Sequence, residues 1–324
     1  MTIRARVAGV GHYLPERVVE NAAFEATLDT TDEWIRSRTG IERRHIAAEG
    51  ETTSMLAVAA ARAALADAGV TADQIDAVLV ATSTPDYTFP SVASMVQGEL
   101  GATGALAFDV QAVCAGFVYA LTTANALIVS GQSKRILVIG AETFSRLMDW
   151  TDRGTCVLFG DGAGALVLEA AEGTGTPEDR GILACDLHAD GRHRELLYVD
   201  GGASTTGTTG HLRMQGNSVF RHAVEKLAES AHAALASIGL SGADIDWIVP
   251  HQANLRIISA TAQRMQVPME RVVVTVQDHG NTSAASIPLA LSVGRDRGQI
   301  KPGDLLVTEA IGGGLTWGAV VLRW

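Results

Sequence analysis

The chain has little cysteine and no excess of basic charge, and each shortage removes a class of protein. Three cysteines in 324 residues do not make the disulfide framework of a small secreted domain. Met1-Thr2-Ile3-Arg4-Ala5-Arg6 carries no secretory pattern, so a cytoplasmic protein with free thiols is expected. A formal net charge of −11 argues against general affinity for phosphate backbones, so no nucleic-acid partner is expected. Between Asp109 and Lys134 there is no charged residue, which on length alone invites a membrane span. Gln111, Thr122, Thr123, Asn125, Ser130 and Gln132 interrupt the stretch and Gly131 ends it. It therefore reads as the central helix of a large core, and no membrane is expected.

What is present is a sequence written twice. At a shift of 170, Ala61-Arg62-Ala63-Ala64-Leu65-Ala66-Asp67-Ala68-Gly69 lies on Ala231-His232-Ala233-Ala234-Leu235-Ala236-Ser237-Ile238-Gly239. In the same register Ile75-Asp76-Ala77-Val78-Leu79-Val80 lies on Ile245-Asp246-Trp247-Ile248-Val249-Pro250. Each copy reads as helix, glycine stop, short loop and strand. Further on, Ile136-Leu137-Val138 answers Leu305-Leu306-Val307, and Gly164-Ala165-Leu166-Val167-Leu168 answers Gly318-Ala319-Val320-Val321-Leu322. Alanine-rich helices match by chance once, but four ordered matches indicate duplication. Each half alternates strands with helices, implying mixed α/β layers. The seam is Glu169 to Gly181, giving halves 1–170 and 171–324. The Gly/Thr-rich stretch 200–210 reads as a surface excursion rather than a gate, although the sequence does not decide between them.

Cys114 is the most informative residue. It stands between Phe108-Asp109-Val110, the end of a strand, and Ala115-Gly116-Phe117-Val118, the start of a buried helix. At a helix N-terminus the macrodipole and the unpaired first-turn N–H groups lower a thiol's pKa toward a nucleophilic thiolate. The same N–H groups can hold an oxyanion in acyl transfer. The plain alternative is an inert buried cysteine. Two other segments place polar groups where strands give way to loops: Pro250-His251-Gln252-Ala253-Asn254, and Asp278-His279-Gly280-Asn281 after a strand Val272–Val276. His251 could instead cap the next helix, and Asn281 could fill a turn position of positive φ. His279 ranks behind His251, because Gly280 beside it suggests a turn. Gly312-Gly313-Gly314 allows either sharp turning or close approach of a backbone N–H to a reacting oxygen opposite that of Cys114.

Nearly the whole chain resembles the β-ketoacyl-acyl-carrier-protein synthase III family, thiolase-fold enzymes that start bacterial type II fatty-acid synthesis. Seven ordered segments carry the resemblance. They are Thr31-Asp32-Glu33-Trp34-Ile35 with Arg38-Thr39-Gly40-Ile41, Cys114-Ala115-Gly116-Phe117, Thr151-Asp152-Arg153-Gly154-Thr155 and Phe159-Gly160-Asp161-Gly162-Ala163-Gly164-Ala165. The others are Pro250-His251-Gln252-Ala253-Asn254-Leu255-Arg256-Ile257-Ile258, His279-Gly280-Asn281-Thr282-Ser283-Ala284-Ala285-Ser286 and Gly312-Gly313-Gly314-Leu315-Thr316-Trp317-Gly318.

The resemblance implies a thiolase-like fold, two duplicated halves in a layered α/β/α/β/α arrangement. It implies decarboxylative Claisen condensation of an acyl-CoA primer, acetyl-CoA first, with malonyl-acyl-carrier protein through an acyl-cysteine, and no metal or redox cofactor. The family's catalytic triad falls on Cys114, His251 and Asn281, and its oxyanion hole on the N–H groups of Cys114 and Gly313. Trp34 and Arg153 match the pair that sandwiches the CoA adenine, Arg38 and Thr30 match groups near its phosphate and base, and Asn254 matches a pantetheine contact. Phe89 matches a ring that crosses a homodimer interface and shortens the partner's acyl pocket. An acidic carrier protein needs a local basic patch, for which Arg221, Arg256 and Arg264 are the candidates. Gln263 and Val113 depart from the family pattern and touch carrier affinity and primer room. A degradative thiolase is disfavoured, since it needs a second cysteine near the C-terminus and the last here is Cys185. A related condensing enzyme of secondary metabolism and a catalytically silent scaffold are the remaining alternatives.

Overall fold

A computed structural model of the chain describes residues 2–324. The first half contributes β1 (Thr2–Tyr13), β2 (Val18–Glu20), α1 (Ala22–Glu25), α2 (Asp32–Thr39), β3 (Arg43–His45), α3 (Thr53–Ala68) and β4 (Ala77–Ala81). It continues with α4 (Val92–Leu100), β5 (Leu106–Val110), α5 (Gly116–Val129), β6 (Arg135–Glu142) and β7 (Gly162–Gly173). The second half supplies β8 (Gly181–Ala189), β9 (Leu197–Val199), β10 (Leu212–Met214), α6 (Gly216–Ala236), β11 (Trp247–Ile248) and α7 (Leu255–Arg264). It ends with α8 (Val276–His279), α9 (Ser286–Asp296), β12 (Leu305–Gly312) and β13 (Thr316–Arg323).

Two mixed sheets are stacked. The first runs β1-β7-β6-β4-β5, with β6, β4 and β5 parallel, and the second runs β11-β12-β13-β8. The strand order repeats, β8-β13-β12-β11 answering β1-β7-β6-β4. Between the sheets lie α5 and α9, whose Phe117, Leu121, Ile287 and Leu291 share one core with Leu79 and Val138 below and Leu306 and Ala310 above. Helices α3 and α4 cover the outside of the first sheet, and α6, with α7 against it, covers the second. The layering is α/β/α/β/α. The uncharged run after Asp109 is thus α5, apolar nearly all round because both its faces meet a sheet. Among the described residues no helix is long and apolar enough to cross a membrane.

Local signals explain the boundaries. Gly69 ends α3 in the left-handed conformation at φ +66, as the glycine stop predicts. Strand β4 is buried along its whole length, as a parallel strand covered on both faces must be. One expected element is not there: Val272–Val276 makes a single parallel bridge, Val272 to Ile248, and Val276 already begins α8. The Gln252 side chain takes the place of a strand partner. Its Oε1 accepts from the N–H groups of Thr275 (2.8 Å) and Val276 (3.1 Å), and its Nε2 donates to the Val273 carbonyl (3.0 Å). A backbone satisfied this way has no need of a ladder.

Candidate active site

Between β5 and α5 the chain makes one turn of 3-10 helix, Val113–Ala115, which sets Cys114 at the head of the central helix. The expected acidification of the thiol is not found. Cys114 is only 4% exposed, and burial pushes its pKa up to about 12. The neighbouring Ser283 hydroxyl pulls it down without overcoming that cost. The end of β12 lies directly on the nucleophile's backbone: a Cβ at Gly312 would stand 2.7 Å from the Cys114 amide nitrogen. The Thr316 hydroxyl, 3.0 Å from the Ala112 carbonyl, ties this hairpin to the same turn. Glycine at 312 is therefore required by close approach of two backbones.

His251 follows Pro250 at the end of β11, where its N–H donates to the Glu309 carbonyl at 2.8 Å. Its Nδ1 is 2.6 Å from the Ser286 hydroxyl, whose oxygen also accepts from the Gln252 N–H at 3.3 Å. The Ser286 hydroxyl has no other acceptor among the described residues, so its proton is directed to Nδ1 and the ring proton belongs on Nε2. Burial lowers the imidazole pKa to about 3, so the ring is a neutral donor. Asn281 is clamped by its backbone, donating to the Leu158 carbonyl (2.9 Å) and accepting from Gly160 (3.0 Å). Its Oδ1 accepts from the Ser283 N–H at 2.9 Å, which turns Nδ2 toward other company. His279 is also buried, its ring edge-on to His45 at 6.2 Å. It does not line the cavity that His251 lines, in keeping with its lower rank.

Cys114, His251 and Asn281 line one cavity of about 290 Å³. Trp34, Arg38, Arg153, Asn254 and Arg256 line it too. Arg153 is stacked on Trp34 at 4.8 Å and Arg38 lies 5.0 Å from the same ring, so no room is left for a flat ligand between Trp34 and Arg153 as they stand. Arg153 is held there through the carbonyl of Asp29. Asn254 caps α7, accepting from the Arg256 N–H at 2.8 Å and donating to the Arg38 carbonyl at 3.2 Å. It joins α7 to α2 as well as facing the cavity. Thr30 does not line the cavity, and its hydroxyl is buried without a partner. Arg221 and Arg264 are exposed and stand off the cavity, Arg264 at the far end of α7. Phe89 is 83% exposed on the loop before α4. The first turn of α4, just after that loop, is tied to β5 by the N–H groups of Val92 and Ala93, both donating to the Asp109 carboxylate at 2.8 Å.

A second cavity of about 310 Å³ lies behind the nucleophile, lined by Val113, Gly313, Leu197, Leu212, Phe144 and Leu147. Gly201, Gly202 and Thr209 also line it, while residues 203–209 of that stretch are exposed. Around Cys114, His251 and Asn281, three polar residues carry roles that sequence reasoning passed over. Ser286 orients the imidazole, Gln252 links the His251 loop to the segment before Asn281, and Ser283 sits beside the thiol. Their signal was a run of hydroxyls and amides in segments already singled out, but only contact distinguishes such groups from turn formers.

Comparison with known proteins agrees with this geometry. Residues 108–191 match the family profile described as 3-Oxoacyl-[acyl-carrier-protein (ACP)] synthase III, and residues 235–324 match that of its C-terminal part. The chain is 79% identical over 324 residues to the "Beta-ketoacyl-[acyl-carrier-protein] synthase III" of Rhodobacter capsulatus, covering all of both chains. The protein of the same name from Ruegeria pomeroyi is 78% identical, again over the whole of both. A crystal structure of 3-oxoacyl-[acyl-carrier-protein] synthase III from Aquifex aeolicus superposes with a TM-score of 0.93 at 45% identity, over 99% of this chain and 100% of that one. Full-length identity of this order, on a shared thiolase-like fold, means that the chain belongs to the β-ketoacyl-acyl-carrier-protein synthase III family of condensing acyltransferases, the ketosynthases that initiate fatty-acid synthesis.

Proposed function

We propose that the protein joins an acyl-CoA primer, acetyl-CoA first, to malonyl-acyl-carrier protein through an acyl group carried on Cys114. One observation carries the reading: Cys114, His251 and Asn281 line a single cavity. The Cys114 sulfur attacks the primer thioester, and the N–H groups of Cys114 and Gly313 hold the tetrahedral oxyanion until CoA departs. Malonyl-acyl-carrier protein then replaces CoA. Loss of CO2 leaves an enolate, whose oxygen accepts from His251 Nε2 and Asn281 Nδ2. A neutral imidazole suits this task, since it donates without giving its proton away. The carbanion attacks the acyl-cysteine and releases a β-ketoacyl-acyl-carrier protein. No metal or redox group enters, because decarboxylation itself supplies the electron pair.

In this reading the halves 1–170 and 171–324 are copies of one unit, one holding the nucleophile and the other the two donors. Trp34 and Arg153 part to admit the adenine, with Arg38 and Thr30 toward the CoA phosphate and base and Asn254 toward the pantetheine arm. Arg256, Arg264 and Arg221 form the basic face for the acidic carrier. Because Arg256 also lines the cavity, Arg264 is the residue at which carrier docking separates from CoA binding. The enzyme is a cytoplasmic homodimer in which Phe89 reaches the partner's acyl pocket. Its 83% exposure on the loop before α4, whose first turn is fixed to the edge strand β5, supports that role.

The test is the mass of the intact enzyme after incubation with a panel of acyl-CoA thioesters, followed by a chase with malonyl-acyl-carrier protein. The acetyl adduct should form on wild type and on Asn281→Ala, but not on Cys114→Ala. Only wild type should discharge it as product. An Asn281→Ala enzyme that condenses at the wild-type rate removes the assignment.

A further inference from the structure

Arg44, the middle residue of β3, is fully buried, and among the described residues none of its hydrogen bonds reaches a carboxylate. Its Nη1 donates to the Val19 carbonyl (3.2 Å) and to Asn21 Oδ1 (2.9 Å), and its Nη2 donates to the Val157 carbonyl (2.6 Å). The guanidinium also stands 4.8 Å from the centre of the Phe24 ring. Burial lowers its pKa to about 10, so it stays charged at neutral pH. A buried cation without an anion is costly, and an apolar side chain of similar length would avoid that cost. What the charge brings is strength in the three bonds it makes.

The shortest of the three leads to Asn281. Val157, Leu158 and Phe159 line the catalytic cavity, and Phe159 forms a parallel bridge with Asn281. That bridge is the clamp on the Asn281 backbone, closed by the Leu158 carbonyl and the Gly160 N–H. The stem of Arg44 fills the space beside it: a Cβ at Gly160 would stand 3.0 Å from the Arg44 Cβ, and one at Gly280 would stand 3.1 Å from it. The chain on either side of Arg44 grips the same place. The Glu42 N–H donates to the Gln277 carbonyl on α8 (2.9 Å), and the His45 carbonyl accepts from the Asp161 N–H (2.8 Å). Cys114 is held by other means, through its own turn and the hairpin at Gly312.

We propose that Arg44 is a positioning residue for the condensation half-reaction, its guanidinium holding the Val157 carbonyl and its stem packing beside Gly160 and Gly280 so that residues 157–160 set the Asn281 carboxamide in place. The inference rests on the reading of Asn281 as a donor to the enolate. The Ser283 N–H fixes which way the carboxamide turns, and the bridge to Phe159 fixes where its backbone stands. Arg44 acts on the second of these. It is not among the residues that line the cavity, so its loss falls on the step that needs Asn281 and spares the attack by Cys114. The planar fork matters as well as the charge, because two separate nitrogens join β2 and the turn after it to Val157, a span that one ammonium does not reproduce.

Two variants test this in the full-length enzyme, Arg44→Met, which removes charge and fork, and Arg44→Lys, which keeps the charge alone. Acyl mass on Cys114 is followed in quenched-flow reactions with acetyl-CoA, and the acyl-enzyme is then chased with malonyl-acyl-carrier protein. Discharge is counted only on molecules that carry the acyl mass, so an unfolded fraction drops out. Both variants should acylate at the wild-type rate. Arg44→Met should discharge about a hundredfold more slowly, the effect of misplacing a positioned group by about 1 Å. The loss should fall on the maximal discharge rate and leave the half-saturating concentration of carrier unchanged, as for an interaction made in the transition state. Arg44→Lys should be slowed in the same way, and it carries the test should Arg44→Met fail to fold. Discharge of either variant at the wild-type rate overturns the proposal. Equal loss of both half-reactions overturns it too, since a framework that has merely loosened would spoil acylation as well, and so does a loss that appears only as a raised half-saturating concentration. If Asn281→Ala itself discharges at the wild-type rate, the reading of Asn281 falls and Arg44 with it, whereas a slow Asn281→Ala beside a fast Arg44→Met overturns the role of Arg44 alone.

Discussion

At the scale of the residue, burial rather than the helix dipole sets the electrostatics of the site. The thiol rises to about 12 and Glu142 to about 7, while His251 and His279 both fall to about 3. The histidines have consequences for stability. Unfolded, each takes up a proton below pH 6.5, and folded it does so only near pH 3. The unfolded chain therefore binds more protons across that window, and stability is lost as pH falls through it, at roughly 1.4 kcal/mol per pH unit for each ring. Glu142 acts oppositely between its ordinary 4.5 and about 7, since there the folded state holds the extra proton and stability is lost as pH rises. The net loss should therefore be steepest below pH 4.5. Urea midpoints measured from pH 7 to pH 3.5 should show this, and His279→Asn should flatten the curve. A flat wild-type curve would mean that the buried rings are hydrated in solution.

At the scale of the element, short connections do more than regular structure. The segment from Pro250 to Asn254 and the segment from Val273 to Asn281 are held together through the Gln252 side chain, with three hydrogen bonds to the backbone of the second from 2.8 to 3.1 Å. Replacing Gln252 with Leu leaves the Thr275 and Val276 N–H groups buried and unpaired, at roughly 1–3 kcal/mol each. Gln252→Leu should lower the free energy of unfolding by about 3 kcal/mol or more. It should also slow condensation more than acylation, since His251 and Asn281 lie on the two segments it joins. A variant as stable as wild type in urea would show that water replaces the amide.

At the scale of the whole molecule, the first sheet ends on β5, whose outer edge is open among the described residues. Among the described residues only β4 pairs with β5, and the Leu106 and Phe108 of β5 are 42% and 36% exposed beside the loop bearing Tyr87 and Phe89. An open apolar edge of this kind invites a further strand, and a second copy of the chain meets it most simply. Phe108→Glu should give a monomer in sedimentation velocity at concentrations where wild type is a dimer. It should also lose primer-length selectivity, because Phe89 no longer reaches a partner. A wild-type protein that sediments as a monomer would remove the interface.

Much of this was legible in the chain. The repeat at 170, the glycine stop at Gly69, the uncharged run of α5 and the three segments bearing Cys114, His251 and Asn281 are all local patterns, and local patterns survive in sequence. Contact was not legible. No spacing announces that Gln252 takes the place of a strand at 272–276, that Arg153 rests on Trp34, or that the Ser286 hydroxyl meets the His251 ring. Sequence by itself determined which elements form, in what order, and which side chains carry chemistry, because those depend on neighbours along the chain. Only the tertiary structure decided which of those side chains meet and which of them water still reaches, because proximity and solvation belong to the packed layers and to no single segment.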